Sequence, residues 1–233
     1  MDKAQVRKQI EDTGIVPVVR ASSADEARFA ADAVRQGGIA VVEITMTVPG
    51  ATDVIRELVK TMPGVLVGAG TVLDVESARR CLDAGAQFLV SPGLDVPTVE
   101  FAVKQGVLIM PGALTPSEVM AAWKAGADFV KVFPCSQVGG ASYIKALKGP
   151  FPDLPMVPTG GVNVNTAADF IRAGSAALGL GGELVLKDAL RLRQAEPIAA
   201  TARTLMDIVA LTRAALRAGP GPSPSPAPSP AKI

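Results

Sequence analysis

The stretch VMAAWKAGADFVKVFP, residues 119–134, decides the fold. It opens on a polar–apolar helical run and stops at Lys124-Ala125-Gly126. Within three residues it enters Phe129-Val130-Lys131-Val132-Phe133, a β-branched and aromatic run. Gly suits the left-handed position that closes a helix, and a cation just before it interacts well with the helix C-terminus. The same unit recurs along the chain. Helical runs end at RQGG (Gly37), DAGA (Gly85), KQGV (Gly106) and RAGS (Gly174), and the strands AVVEIT, QFLVS, VLIMPG and AALGLG follow them. IVPVVR near the start, VLVGAG at 65–70 and MVPTGG at 156–161 bring the set to eight strands.

The strand centres lie roughly 20 to 27 residues apart, the length of one strand, one helix and two short loops. Strands that are apolar throughout, alternating with amphipathic helices, describe a parallel sheet covered on its faces. Eight such units favour an α/β fold of the single (β/α)8 TIM-barrel type, with an open doubly wound sheet as the alternative. GAGTVL at 68–73 starts like a dinucleotide fingerprint, but Leu73 stands where its third Gly belongs, and there is no Walker A motif.

Composition removes whole classes of chemistry. The 233 residues include no histidine, so neither a Ser-His-Asp nor a Cys-His nucleophilic pair exists, and His-ligated zinc is excluded. Lys plus Arg number 23 against 22 Asp plus Glu, and aromatics are 4%. Such a chain carries no electrostatic footprint for nucleic acid and little with which to stack bases. Cys81 and Cys135 make no disulfide framework. The N-terminus is too charged for a signal peptide, and no apolar run is long enough to span a bilayer, so a cytoplasmic, membrane-free protein is expected. Residues 219–233 are almost all Gly, Pro, Ser and Ala, and read as a disordered tail. The barrel domain is thus expected over 1–218 and the tail over 219–233.

Barrel chemistry sits at the C-terminal ends of the strands. Lys131 and Glu43 are the unusual charges there. Period-two alternation puts Phe129, Lys131 and Phe133 on one face of their strand, with Val130 and Val132 on the face that packs against helices. Val41, Glu43 and Thr45 turn inward by the same rule. A buried ammonium is costly unless paired or neutralised. A lysine so placed either snorkels to a structural ion pair or serves as the nucleophile of Schiff-base chemistry on a carbonyl. Glu43 either holds that lysine as an ion pair or shuttles protons around the imine. Arg20 adds a fixed cation suited to a substrate carboxylate, or a rim ion pair. Thr159-Gly160-Gly161 and Gly181-Gly182 end the seventh and eighth strands, where barrel loops opening onto a helix N-terminus often bind phosphate through backbone N–H groups. Cys135 reads as a small packing residue, since no His is present to activate it.

With these residues in place, the chain resembles the 2-dehydro-3-deoxy-6-phosphogluconate aldolases, which also act on 4-hydroxy-2-oxoglutarate. The resemblance covers about residues 10–190 and rests on VEIT (42–45), VGAGTV (67–72), FLVSPG (88–93), PGALTPSE (111–118), FVKVFP (129–134), KGPFP (148–152) and VPTGGV (157–162). It implies a (β/α)8 barrel, a homotrimer, and a class I aldolase with no metal or cofactor. The implied partners are a small 2-oxo acid substrate and pyruvate. It implies Lys131 as the Schiff-base lysine and Glu43 as general acid/base. Arg20 and Thr71 fall near the pyruvyl carboxylate, Pro92 lines the pocket, and Thr159 sits beside the imine. Gly160, Gly161, Gly181 and Gly182 match the phosphate loops.

Two positions depart from the pattern. Thr47 stands where many relatives carry Arg. Glu183 stands where the family pattern has a phosphate-facing Ser, which favours an unphosphorylated 2-keto-3-deoxy sugar acid as the alternative substrate. Two rivals share the glycine loops: a phosphosugar epimerase or isomerase, and a non-catalytic anion-binding barrel or assembly scaffold. Neither has a reason to hold both Lys131 and Glu43 inward.

Overall fold

Strands buried on both faces are built of apolar residues, and the first three follow this except at Glu43 and Thr45 of the second. In the computed structural model β1 (Ile15–Val19), β2 (Val41–Thr45) and β3 (Leu66–Gly70) are buried along their whole length. Shorter strands follow: β4 (Phe88–Val90), β5 (Leu108–Met110), β6 (Gly112–Ala113), β7 (Val130–Val132), β8 (Met156–Pro158) and β9 (Leu178–Leu180). The structure describes residues 1–218, so the tail expected over 219–233 lies outside the described residues. Every strand pairing is parallel, which makes the fold α/β. The order is β5-β4-β3-β2-β1-β9 in a six-stranded sheet and β6-β7-β8 in a three-stranded one.

The run VLIMPG, expected as one strand, is divided. Pro111 has no N–H to give to a ladder, so the pairing with β4 is interrupted at that point. Before it, Ser91 N donates to Met110 O at 3.2 Å; at it, Lys131 N donates to Pro111 O at 2.9 Å. β5 therefore belongs to the larger sheet and β6 to the smaller. At the opposite edges, Thr159 and Gly179 form an isolated parallel bridge.

Helices follow the strands and begin where the sequence supplies caps. α4 (Val75–Asp83) and α6 (Pro116–Lys124) open with capping boxes, Asp74 with Ser77 and Thr115 with Glu118. Each box satisfies two otherwise orphaned N–H groups. α5 (Val96–Lys104) is capped by Asp95 and carries Pro in its first turn. Gly85, Gly106, Gly126 and Gly174 have positive φ, as expected of residues that end helices. The first repeat differs. After α2 (Ala24–Gln36) the left-handed residue is Gly38 (φ 91°), while Gly37 has φ −78°. Gly37 is needed for packing instead: a Cβ there would lie 2.4 Å from Ala202 Cβ on α10 (Ala195–Ala218).

α1 (Lys3–Thr13) crosses the ends at which the strands begin. Gln9 Nε2 donates to Ala40 O, Lys3 pairs with Asp128 at 2.9 Å, and the Arg7 guanidinium lies 5.4 Å from the Phe129 ring centroid. Phe129 thus marks the closed end of the interior. Phe133, four residues on, marks the other end, where the functional residues gather. No described helix is long and apolar enough to cross a membrane.

Candidate active site

Lys131 and Glu43 come from different sheets, yet their side chains meet in one interior. Glu43 is Cα-paired with Val18 on one side and Gly68 on the other; Lys131 is paired with Gly112 and Val157. Both are buried, at 1% and 3% exposure. Burial pushes the Glu43 carboxyl above the ordinary carboxylate range, and the cations Lys131 and Arg20 offset this only in part. Glu43 Oε1 has no hydrogen-bond partner among the described residues. A buried, unpartnered carboxyl oxygen is unusual and points to a group held ready for a proton.

Space for that carboxyl comes from a glycine. A Cβ at Gly70 would lie 1.7 Å from Glu43 Oε1, so no side chain fits there while Glu43 holds its position. Gly179 does the same for Thr159, whose Oγ1 would lie 2.1 Å from a Cβ at 179. The residue after Gly70 is strained: Thr71 has φ 56°, an outlier for a β-branched side chain. Such strain costs on the order of 1–3 kcal/mol and clusters at functional positions. Thr45, on the Glu43 face, donates from Oγ1 to Val19 O at 3.0 Å. Its 2.7 Å contact with Thr47 Oγ1 is therefore donated by Thr47.

Above this pair lies a cavity of about 190 Å³ lined by Val18, Arg20, Phe133, Thr159, Gly160, Gly161, Gly181 and Glu183 among others. Arg20 is exposed at its rim. Lys131 is not on the cavity wall. Its Nζ lies 5.2 Å from the centroid of the Phe133 ring, which is.

The glycine turns are built differently from the expectation. No helix starts at either double glycine: α8 (Ala167–Arg172) begins six residues after Gly161, and α9 (Lys187–Arg191) five after Gly182. Gly160 and Gly161 both have positive φ, and the turn after β9 closes through Leu184 N and Val185 N donating to Gly181 O. Gly160 O accepts from Ser136 N at 3.2 Å, which ties this turn to the segment after β7. The double glycines are therefore loop turns after β8 and β9, not the first residues of helices.

The candidate residues do not all converge. Arg20, Thr159, Gly160, Gly161, Gly181 and Gly182 share the cavity, with Lys131 and Glu43 beneath it. Pro92 lines a neighbouring hollow with Ser91, Gly93 and Val72, the residue after Thr71. The Pro92 backbone packs so closely on Gly112 that a Cβ there would lie 2.2 Å from it.

A family model described as "Aldolase: KDPG and KHG aldolase" matches residues 6–201. The chain belongs to that family. It is 34% identical over 187 residues to the 2-dehydro-3-deoxy-phosphogluconate aldolase of Pseudomonas aeruginosa, covering 80% of this chain and 84% of that protein. The KHG/KDPG aldolase of Escherichia coli is 34% identical over 193 residues, covering 83% and 91%. The KDPG aldolase of Legionella pneumophila, solved with pyruvate captured as a covalent carbinolamine intermediate, superposes with a TM-score of 0.80 at 29% identity over 86% of this chain and 98% of that one.

For a member of the KDPG and KHG aldolase family, two features went unread in the sequence. Phe133 was expected to face inward but not to contact Lys131. Gly70 carried no signal as the residue that seats Glu43, because that contact spans two strands 27 residues apart. Burial pushes the thiols of Cys81 and Cys135 up to about 11.

Proposed function

We propose that the protein is a class I aldolase that cleaves a 2-oxo-3-deoxy acid to pyruvate and an aldehyde. The carrying observation is the convergence of Lys131 and Glu43, one charge from each sheet, in a single buried interior beneath an Arg20-lined cavity. Neutral Lys131 attacks the C2 ketone, and loss of water leaves an iminium. Glu43 takes the C4 hydroxyl proton as the C3–C4 bond breaks, and the electron pair runs into the iminium to give an enamine. Protonation at C3 and hydrolysis release pyruvate. The iminium is the electron sink, so the reaction as written calls for no metal. Arg20 and Thr71 take the roles of carboxylate partners, Pro92 and Thr159 those of pocket walls, and Gly160, Gly161, Gly181 and Gly182 those of amide donors to the distal end.

In this reading the two sheets are arcs of one closed (β/α)8 barrel over residues 1–218. Support comes from both seams: β5 and β6 are one run split only at Pro111, and Thr159 bridges Gly179 across the other. The assembly is a homotrimer, in keeping with the exposure of Met120 and Trp123 on α6 and Val96 and Val103 on α5. Incubation with pyruvate, borohydride reduction and mass mapping test the chemistry. A stable adduct on Lys131 is expected; none, or one elsewhere, overturns the reading.

A second reading concerns the substrate's distal end. Glu183 lines the cavity and also the open groove of about 570 Å³ beside it. A carboxylate there repels a phosphate dianion, which favours an unphosphorylated sugar acid. Turnover of phosphorylated and unphosphorylated 2-keto-3-deoxygluconate decides between them. Glu183→Ser is expected to shift the ratio toward the phosphorylated form by roughly tenfold. A strong phosphate preference in the unaltered protein refutes the idea.

A further inference from the structure

Lys131 is buried without an ion pair among the described residues, and the group recorded against its ammonium is an aromatic face. Its Nζ lies 5.2 Å from the centroid of Phe133, within cation–π range. Burial holds the carboxyl of Glu43, which Lys131 influences electrostatically, toward its neutral form. An aromatic face attracts a cation but has no lone pair with which to take its proton. That combination matters for a nitrogen whose charge changes during reaction.

We propose that Phe133 is a positioning residue that acts through Lys131, holding the post-cleavage equilibrium on the iminium side and so committing the enamine to protonation and pyruvate release. This rests on Lys131 as the Schiff-base lysine. In imine formation, the amine adds to the C2 carbonyl. Water then leaves with the carbonyl oxygen and two protons, one from Nζ and one from the Glu43 carboxyl, and C2=Nζ carries the positive charge. When a C3 proton passes to the Glu43 carboxylate, the C3–H pair becomes the C2=C3 bond. The C2=N π pair moves onto nitrogen, which is then neutral. The Phe133 ring stabilises the first species and not the second. It therefore opposes enamine formation from pyruvate and favours the reverse protonation.

The test follows one ratio: the rate of C3 hydrogen–deuterium exchange of pyruvate, divided by the amount of borohydride-trapped Lys131 adduct. Phenylalanine at 133 is replaced by mono-, di- and trifluorophenylalanine, which drain the ring face of electron density with almost no change of shape. The logarithm of the ratio is expected to rise steadily along the series. The full loss of the ring face, as in Phe133→Leu, is expected to raise it on the order of tenfold, and Phe133→Trp to lower it. A flat or falling fluorine series with adduct still on Lys131 overturns the role of Phe133 alone. Failure of the unaltered protein to form a Lys131 adduct overturns the aldolase reading beneath it.

Discussion

Replacing Gly70 by alanine adds one methyl group at the most crowded point of the site. The new Cβ would lie 1.7 Å from Glu43 Oε1, whereas real Cβ atoms essentially never come within 3.0 Å of a neighbour. The carboxyl must retreat by about 1.3 Å, because Gly70 is fixed in the ladder opposite Thr45. A misplacement of about 1 Å costs on the order of 10²-fold in rate, and loss of positioned acid–base catalysis costs about 10²–10⁴-fold. Gly70→Ala is therefore expected to lower kcat for aldol cleavage by roughly 10²-fold or more. Pyruvate is still expected to yield a borohydride-trapped adduct on Lys131, since that residue lies in the other sheet. Overpacking should also lower stability by about 1–3 kcal/mol in urea denaturation. In a Glu43→Ala background the obstructing carboxyl is gone, so the same glycine substitution should cost little, a coupling of about 1 kcal/mol or more. Unchanged kcat in Gly70→Ala, or the same stability loss in both backgrounds, would refute the reasoning.

Glu43 also makes stability depend on pH. Its folded-state pKa is raised, so its contribution is fully present below the ordinary carboxylate pKa and is lost as pH rises through the folded value. Urea titrations across that window should show a decline that Glu43→Gln flattens; an identical slope in the variant would count against it. Thr71→Gly relieves a positive φ on a β-branched residue, at the cost of glycine's extra chain entropy. It should gain about 1 kcal/mol in denaturation while lowering kcat/KM for the 2-oxo acid, and a loss of stability would exclude the strain. With thiol pKa values of about 11, Cys81 and Cys135 should resist iodoacetamide near pH 8 in the folded protein and react once unfolded, as followed by mass.

Much of the site was legible because its signals are local. A strand alternates its faces every two residues, so a lone Lys between Val130 and Val132, or a lone Glu between Val42 and Ile44, must turn inward wherever the valines and isoleucines meet helices. Glycines that end helices are likewise set by backbone sterics within one turn, and four of the five expected positions have the left-handed conformation. The motif spacings carried the family.

What only the tertiary structure decided depends on pairs far apart in the chain. That the run at 107–112 is shared between two sheets shows only in its partners: Met110 O accepts from Ser91 N, and Pro111 O, past the missing N–H, accepts from Lys131 N. Gly37 ends its helix as α10's packing surface, with the left-handed turn displaced to Gly38. The double glycines serve as loop turns, not helix starts. Gly70 seats Glu43, and Phe133 faces Lys131. Sequence alone fixed which way each side chain turns, since that follows from one strand's own geometry. How closely two of them approach is set by register and twist between strands, and those exist only once the sheets have formed.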